Sequence, residues 1–87
     1  MAASRETIRQ WFSDGKAMNA QWMIVVCDTF DYEDYPVYVD NKEQFFDQYD
    51  RINENITMQR VMEVYDLNMD VITQLDEHRT FHMPARI

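Results

Sequence analysis

The apolar positions of the chain fall into blocks of different period. Residues 21–29, QWMIVVCDT, are apolar at every position from Trp22 to Cys27 before the acids begin. A strand covered on one face alternates, so this unbroken run predicts a strand buried on both faces and central in its sheet. Residues 35–39, YPVYV, predict a second, shorter strand. Pro36 cannot donate to a ladder on both sides, which places that strand at an edge or beside a bulge. The stretch between the two is short enough for a hairpin connection. Over residues 41–54 the period becomes helical, with Phe45, Tyr49 and Ile52 as the apolar stripe and Phe46 on its flank. Glu43, Asp47, Asp50 and Glu54 line the opposite face, and Asp40 with Glu43 forms the expected capping pair. Residues 56–67, ITMQRVMEVYDL, contain a third strand, clearest from Val61 to Asp66.

The two ends of the chain are read from weaker signals. Ser4 is placed to cap a helix through about Phe12 that groups Ile8, Trp11 and Phe12, and Gly15, the single glycine, stands where a helix C-terminal signal belongs. The tail, DVITQLDEHRTFHM, has two readings. Either Asp70 caps a helix with Val71, Leu75, His78 and His82 on one face, or RTFHM forms a short fourth strand. The fold class expected is α+β. A hairpin followed by a helical return gives a three- or four-stranded, mostly antiparallel sheet of order 2-1-3, with one main amphipathic helix packed on it and an additional N-terminal helix. The expected organisation is an N-terminal helical arm over residues 1–19, a compact unit over 20–83 and a frayed end over 84–87.

Composition limits what such a fold can do. With 87 residues, 46% of them hydrophobic, the chain builds one core but no deep enclosed cleft. Sixteen acidic residues against eight basic give a net charge of −8. The excess is local: residues 1–27 sum to +1, residues 28–50 to −7 and residues 51–87 to −2. Phosphate binding depends on Lys and Arg, so no direct nucleic-acid contact is expected, and partners with basic surfaces are favoured. Cys27, the single cysteine, excludes an intrachain disulfide and fits a reducing compartment. The first twenty residues hold no sustained apolar stretch, and the run WMIVVC is far short of the roughly 20 residues that span a bilayer. A soluble cytoplasmic protein without a membrane role is the expected class.

The densest candidate for chemistry is DTFDYEDY, residues 28–35. Asp28, Asp31, Glu33 and Asp34 are rich in oxygen, but the glycine and terminal glutamate of a calcium-binding EF-hand loop are missing. Carboxylate pairs for hydrolysis need one partner held protonated by burial, for which a chain this small has little volume. His78 and His82 have the spacing of two helical zinc ligands but lack a third ligand nearby and the intervening glutamate of a metalloprotease helix. Cys27 next to Asp28 is a poor nucleophile, because a neighbouring negative charge raises a thiol pKa. One glycine cannot form a phosphate-cradling loop. The acidic helix would be repelled by anionic lipid, and base stacking by Tyr32, Tyr35 or Tyr38 lacks the cations that make such platforms bind.

The expectation that survives is a non-enzymatic interaction module, with no cofactor, no metal and no catalytic residue. Its surface comprises Asp28, Asp31, Tyr32, Glu33, Asp34 and Tyr35 from the hairpin connection, joined by Glu43, Asp47, Asp50 and Glu54 from the helix. Such a surface suits a small inhibitor or adaptor whose carboxylates imitate phosphate spacing in the basic groove of a nucleic-acid-associated protein. One alternative is an assembly module whose charge serves solubility while Trp22, Phe30 or the tail supplies a homodimer contact. Another is a weak divalent-metal protein or enzyme using Asp28 and Asp31.

Overall fold

The computed structural model describes residues 4–54, 58–77 and 80–84. The start of the third strand at Ile56, the place of His78 and the end of the tail from Ala85 lie outside the described residues. Six elements follow one another: α1 (Arg5–Ala17), β1 (Trp22–Asp28), β2 (Glu33–Val39), α2 (Lys42–Asn53), β3 (Gln59–Asp66) and α3 (Val71–Leu75). The strands form one three-stranded antiparallel sheet of order β2-β1-β3, and the helices pack against it. The fold is a small α+β fold, as the periodicity predicts.

β1 is central because nothing else in the chain covers four consecutive apolar side chains. Met23, Ile24, Val25 and Val26 are each at most 1% exposed. Ile24 and Val26 join Val39, Val61 and Val64 under Phe45 and Ile52 of α2. Met23 and Val25 face the other way and join Tyr65 and Leu67 under Ile8 and Phe12 of α1, with Val71 and Leu75 of α3 against them. The sheet is therefore enclosed, α2 on one face and α1 with α3 on the other. β2 lies at the edge, as Pro36 requires. The bulge is on β3, where the register slips between Val25 and Val26 and leaves Met62 without an opposite residue.

Several boundaries differ from the sequence expectation for identifiable reasons. α1 does not stop near Phe12 but continues to Ala17, with Ser4 accepting the Thr7 N–H as its cap. Gly15 is not its terminator. It is buried within the helix, and a Cβ there would lie 2.8 Å from Tyr38 Cε1 and 2.9 Å from Leu67 Cδ1, so the missing side chain lets α1 approach the sheet. The helix ends instead at Met18, and the chain turns through Asn19, whose φ of 61° is in the left-handed region that asparagine tolerates. The cap of α2 is shifted by one residue: Asn41 Oδ1 accepts the Gln44 N–H at 2.8 Å, while Gln44 Oε1 accepts the Asp40 N–H at 2.9 Å. β2 begins at Glu33 rather than Tyr35, because pairing with Asp28 and Cys27 extends the ladder through two acids of low strand propensity.

The tail follows neither of its readings in full: α3 stops at Leu75, so His82 is not on it, and RTFHM contributes one isolated bridge rather than a fourth strand. Asp70 caps the short α3, accepting the Thr73 N–H at 3.0 Å and the Thr73 hydroxyl at 2.8 Å. Phe81 then makes a parallel bridge to Val64, with Thr80 O accepting the Val64 N–H and Val64 O accepting the His82 N–H. Gln74 fastens α3 to the end of β3. It is fully buried; its amide oxygen accepts the Asp66 N–H, and its amide nitrogen donates to the Asp66 and Asp70 carbonyls.

Gly15→Ala should lower stability by about 1–3 kcal/mol through overpacking, against roughly 1 kcal/mol that alanine gains over glycine in a helix. A urea midpoint that rises instead would show that Tyr38 and Leu67 yield without cost. The Tyr35, Tyr38 and Tyr65 hydroxyls are all pushed above their ordinary pKa of 10, burial being the largest cause in each. Their protonated forms are favoured by the fold, so the stability they contribute is full below pH about 10 and is lost as pH rises through the raised folded values. Urea midpoints should fall above that pH, and less steeply in Tyr65→Phe; a flat alkaline profile would contradict the assignment.

Candidate protein interaction surface

The hairpin that carries DTFDYEDY is closed by its own first acid. Asp28 ends β1 opposite Glu33, and only residues 29–32 make the loop. Asp28 Oδ1 accepts the Phe30 N–H at 2.8 Å and the Asp31 N–H at 3.4 Å, and Asp28 O accepts the Tyr32 N–H. The loop returns through Tyr32 at φ 57°, an unusual conformation for an aromatic residue. Beside it Met58 is also left-handed, at φ 58°, and its carbonyl accepts both the backbone N–H and the hydroxyl of Thr29 at 2.8 Å. This double bond ties the entry to β3 against the hairpin loop.

The result is an apolar tip among carboxylates. Phe30 is 72% exposed, Tyr32 67% and Met58 50%. Asp31 and Glu33 are exposed beside them, and Asp34 is half-buried. Tyr35 is placed differently: it is half-buried in the cluster beneath α2, and its hydroxyl accepts a hydrogen bond from Gln59 Nε2. The anchors with area to offer are thus Phe30, Tyr32 and Met58. A methionine in the connection between a helix and a strand gives no such signal in sequence, and Phe30 is singled out there only for an oligomer contact.

The helix supplies the second part of the surface unevenly. β1 runs from the end where Trp22 faces Val39 and Asp66 to the end where Asp28 faces Glu33 and Gln59. α2 starts just after Val39 and ends six residues before Gln59, so its C-terminus is within about 20 Å of the hairpin end by chain reach. Glu54 and Asp50 belong to that end. Glu43, eleven residues earlier, lies about 16 Å further along the helix axis. Glu43, Asp47, Asp50 and Glu54 are all exposed, and Arg51 pairs with Asp47 at 3.3 Å.

Some of these acids face like charge. Asp28 and Glu33 are directly opposed like charges across the ladder. Asp50 and Glu54 add negative charge at a helix C-terminus, where the backbone dipole already carries about half a negative charge and each acid costs about 0.3–1 kcal/mol.

The remaining candidates are placed elsewhere. Cys27 lies on the α1 side of the sheet opposite Asp34, and burial first, then Asp34, pushes its thiol pKa up. The acid that matters to Cys27 is therefore Asp34 across the ladder, not its neighbour Asp28. His82 Nε2 lies 2.6 Å from Glu77 Oε1. Among the described residues no three His, Cys, Asp or Glu side chains are placed to share a metal ion, and no helix is long and apolar enough to cross a membrane.

Asp28 and Asp31 should separate in a stability assay. Asp28→Ala, which strands the loop N–H groups, should cost about 1 kcal/mol, whereas Asp31→Ala should stay within about 0.5 kcal/mol. Equal costs would remove the turn-closing role of Asp28. Comparison of the chain with protein-family models, curated proteins and solved structures finds no match, so the reading of this surface rests on its own residues.

Proposed function

We propose that this protein is a small, non-enzymatic interaction module that binds a basic protein surface through the hairpin end of its sheet. The observation that carries the reading is the exposure of Phe30, Tyr32 and Met58 at a tip bordered by Asp31 and Glu33. Burying such a side chain in a partner contributes about 1.5–3 kcal/mol, which is enough for a few anchors to dominate an interface. The carboxylates add a different quantity. Summed with Asp50 and Glu54, they create a negative field that speeds encounter with a cationic surface and fades with salt. Glu33, kept opposite a like charge across the ladder, and Glu54, kept at a helix C-terminus, support a role in recognition, since solubility alone is served by charge anywhere on the surface.

A nucleic-acid-associated protein is the proposed partner class, because its phosphate-binding groove already presents ordered Lys and Arg to a negative ligand. The carboxylates then stand in for phosphates, and the aromatic tip occupies the space of a base.

Affinity capture from cell extract at low and high salt, read by mass spectrometry, tests the reading. Basic, nucleic-acid-associated proteins should be retained at low salt and released at high salt. The variant Asp31→Asn, Glu33→Gln, Asp34→Asn should retain its circular dichroism spectrum and lose the capture. Retention of no basic partner, or capture unaffected by the three substitutions, would contradict the proposal.

A further inference from the structure

The cations of this acidic chain are not all spent on its own acids. Arg5 is held by Asp76 at 2.6 Å and Arg51 by Asp47, whereas among the described residues neither Arg9 nor Lys16 enters an ion pair. Both stand on α1, seven residues apart and therefore on one helix face, with Ser13 between them. Lys16 Nζ lies 5.9 Å from the centre of the Phe12 ring. Opposite, the chain entering α3 brings Met69 and Val71 alongside and leaves an open groove of about 310 Å³, at the lower limit of clefts that hold a small ligand. Phe12 is buried in its floor, Val71 is half-buried and Met69 is 41% exposed. Among the described residues Asp70 is the one carboxylate in the lining, and it is committed to capping α3 through Thr73, whose hydrogen bonds hold its pKa low.

An apolar floor with two cations on one rim matches an aromatic side chain flanked by carboxylates. The hairpin tip of this same chain is such a segment, with Phe30 and Tyr32 protruding on either side of Asp31 and Glu33 next in line. A tip cannot reach its own groove. The groove adjoins the Trp22 end of β1, where Leu67 donates its N–H to Gln21 O, and the tip adjoins the Asp28 end, about 20 Å away along the strand. We propose that the groove between α1 and α3 receives the Phe30–Tyr32 hairpin tip of a second copy of this chain.

The contact joins two different surfaces, so each copy offers one tip and one groove, and copies add in a row unless the rotation closes a ring. The net charge of −8 opposes association at long range. Physiological salt screens that repulsion beyond about 8 Å and leaves the short-range contact of ring, floor and cations. Association is accordingly weak, with a dissociation constant of roughly millimolar or somewhat below. A basic partner at the tip and a groove of another copy compete for the same side chains.

Sedimentation velocity of the full chain at physiological ionic strength, over rising concentration, tests the contact with two charge-reversed variants. The groove variant is Arg9→Glu with Lys16→Glu, and the tip variant is Asp31→Lys with Glu33→Lys. The wild type should pass from monomer to dimer and larger species, each variant alone should stay monomeric, and an equimolar mixture of the two should associate again, which also shows that both are folded. A wild type that remains monomeric up to about millimolar concentration would overturn the proposal. So would association that survives in either variant alone, or a mixture that stays monomeric.

Discussion

The whole molecule depends on burying β1 on both faces. Four successive side chains, Met23 to Val26, have no route to water, and a single helix can shield only those that point toward it. The demand is met by α2 over Ile24 and Val26 and by α1 with α3 over Met23 and Val25. Everything peculiar in the packing serves this enclosure. Gly15 removes the Cβ that would hold α1 away from Tyr38 and Leu67. Gln74, a buried polar side chain, satisfies the backbone at the end of β3 where the sheet meets α3. Tyr38 donates its hydroxyl to the Trp11 carbonyl and so joins the edge strand to the same helix.

With both faces covered by helices, the two ends of the sheet differ in what they expose. At the Trp22 end Gln21 ties the strand ends together: its N–H donates to Val39 O, its carbonyl accepts the Leu67 N–H and its Oε1 accepts from Asn68 Nδ2. The other end is the hairpin, where the ladder finishes in Asp28 opposite Glu33 and the chain exposes Phe30 and Tyr32. Stability would favour opposite charges across that pair and a cation at the end of α2. Acids occupy these positions instead, with Arg51 as a partial offset. A domain of this size has only a few kcal/mol in reserve, so such placements are tolerable because the core is enclosed on both sides.

Legibility in the sequence follows the strength of the physical constraint. The unbroken run at Trp22–Cys27 and the proline at position 36 each admit few structures, and they lead directly to a central strand, an edge strand and the order 2-1-3. The stripe of Phe45, Tyr49 and Ile52 is equally plain; Phe45 is fully buried and packs against the rings of Trp22, Phe46 and Tyr49. Gly15 is misleading because a glycine that ends a helix and a glycine that admits a neighbour look alike until the neighbour is known. Asp40 and Asn41 are both good caps, as are their partners Glu43 and Gln44, so the start of α2 is resolved only by the chain's path. At the hairpin, the acids are evident from composition, but the division of labour is not. Asp28 faces inward to the loop N–H groups and Tyr35 toward Gln59, while Phe30 and Met58 come to the surface through turn geometry that no local pattern encodes.

The central claim is that the hairpin end forms one recognition surface for cations, distinct from the acids scattered elsewhere. It is tested most directly by titrating the isotopically labelled protein with a short peptide of alternating lysine and leucine and following backbone amide shifts residue by residue. Saturable shifts concentrated at residues 28–34 and 50–54 and at Met58, weakening with salt, are the predicted result. Shifts spread evenly over all exposed carboxylates, or centred on Glu63, Asp66 and Glu77, would contradict it.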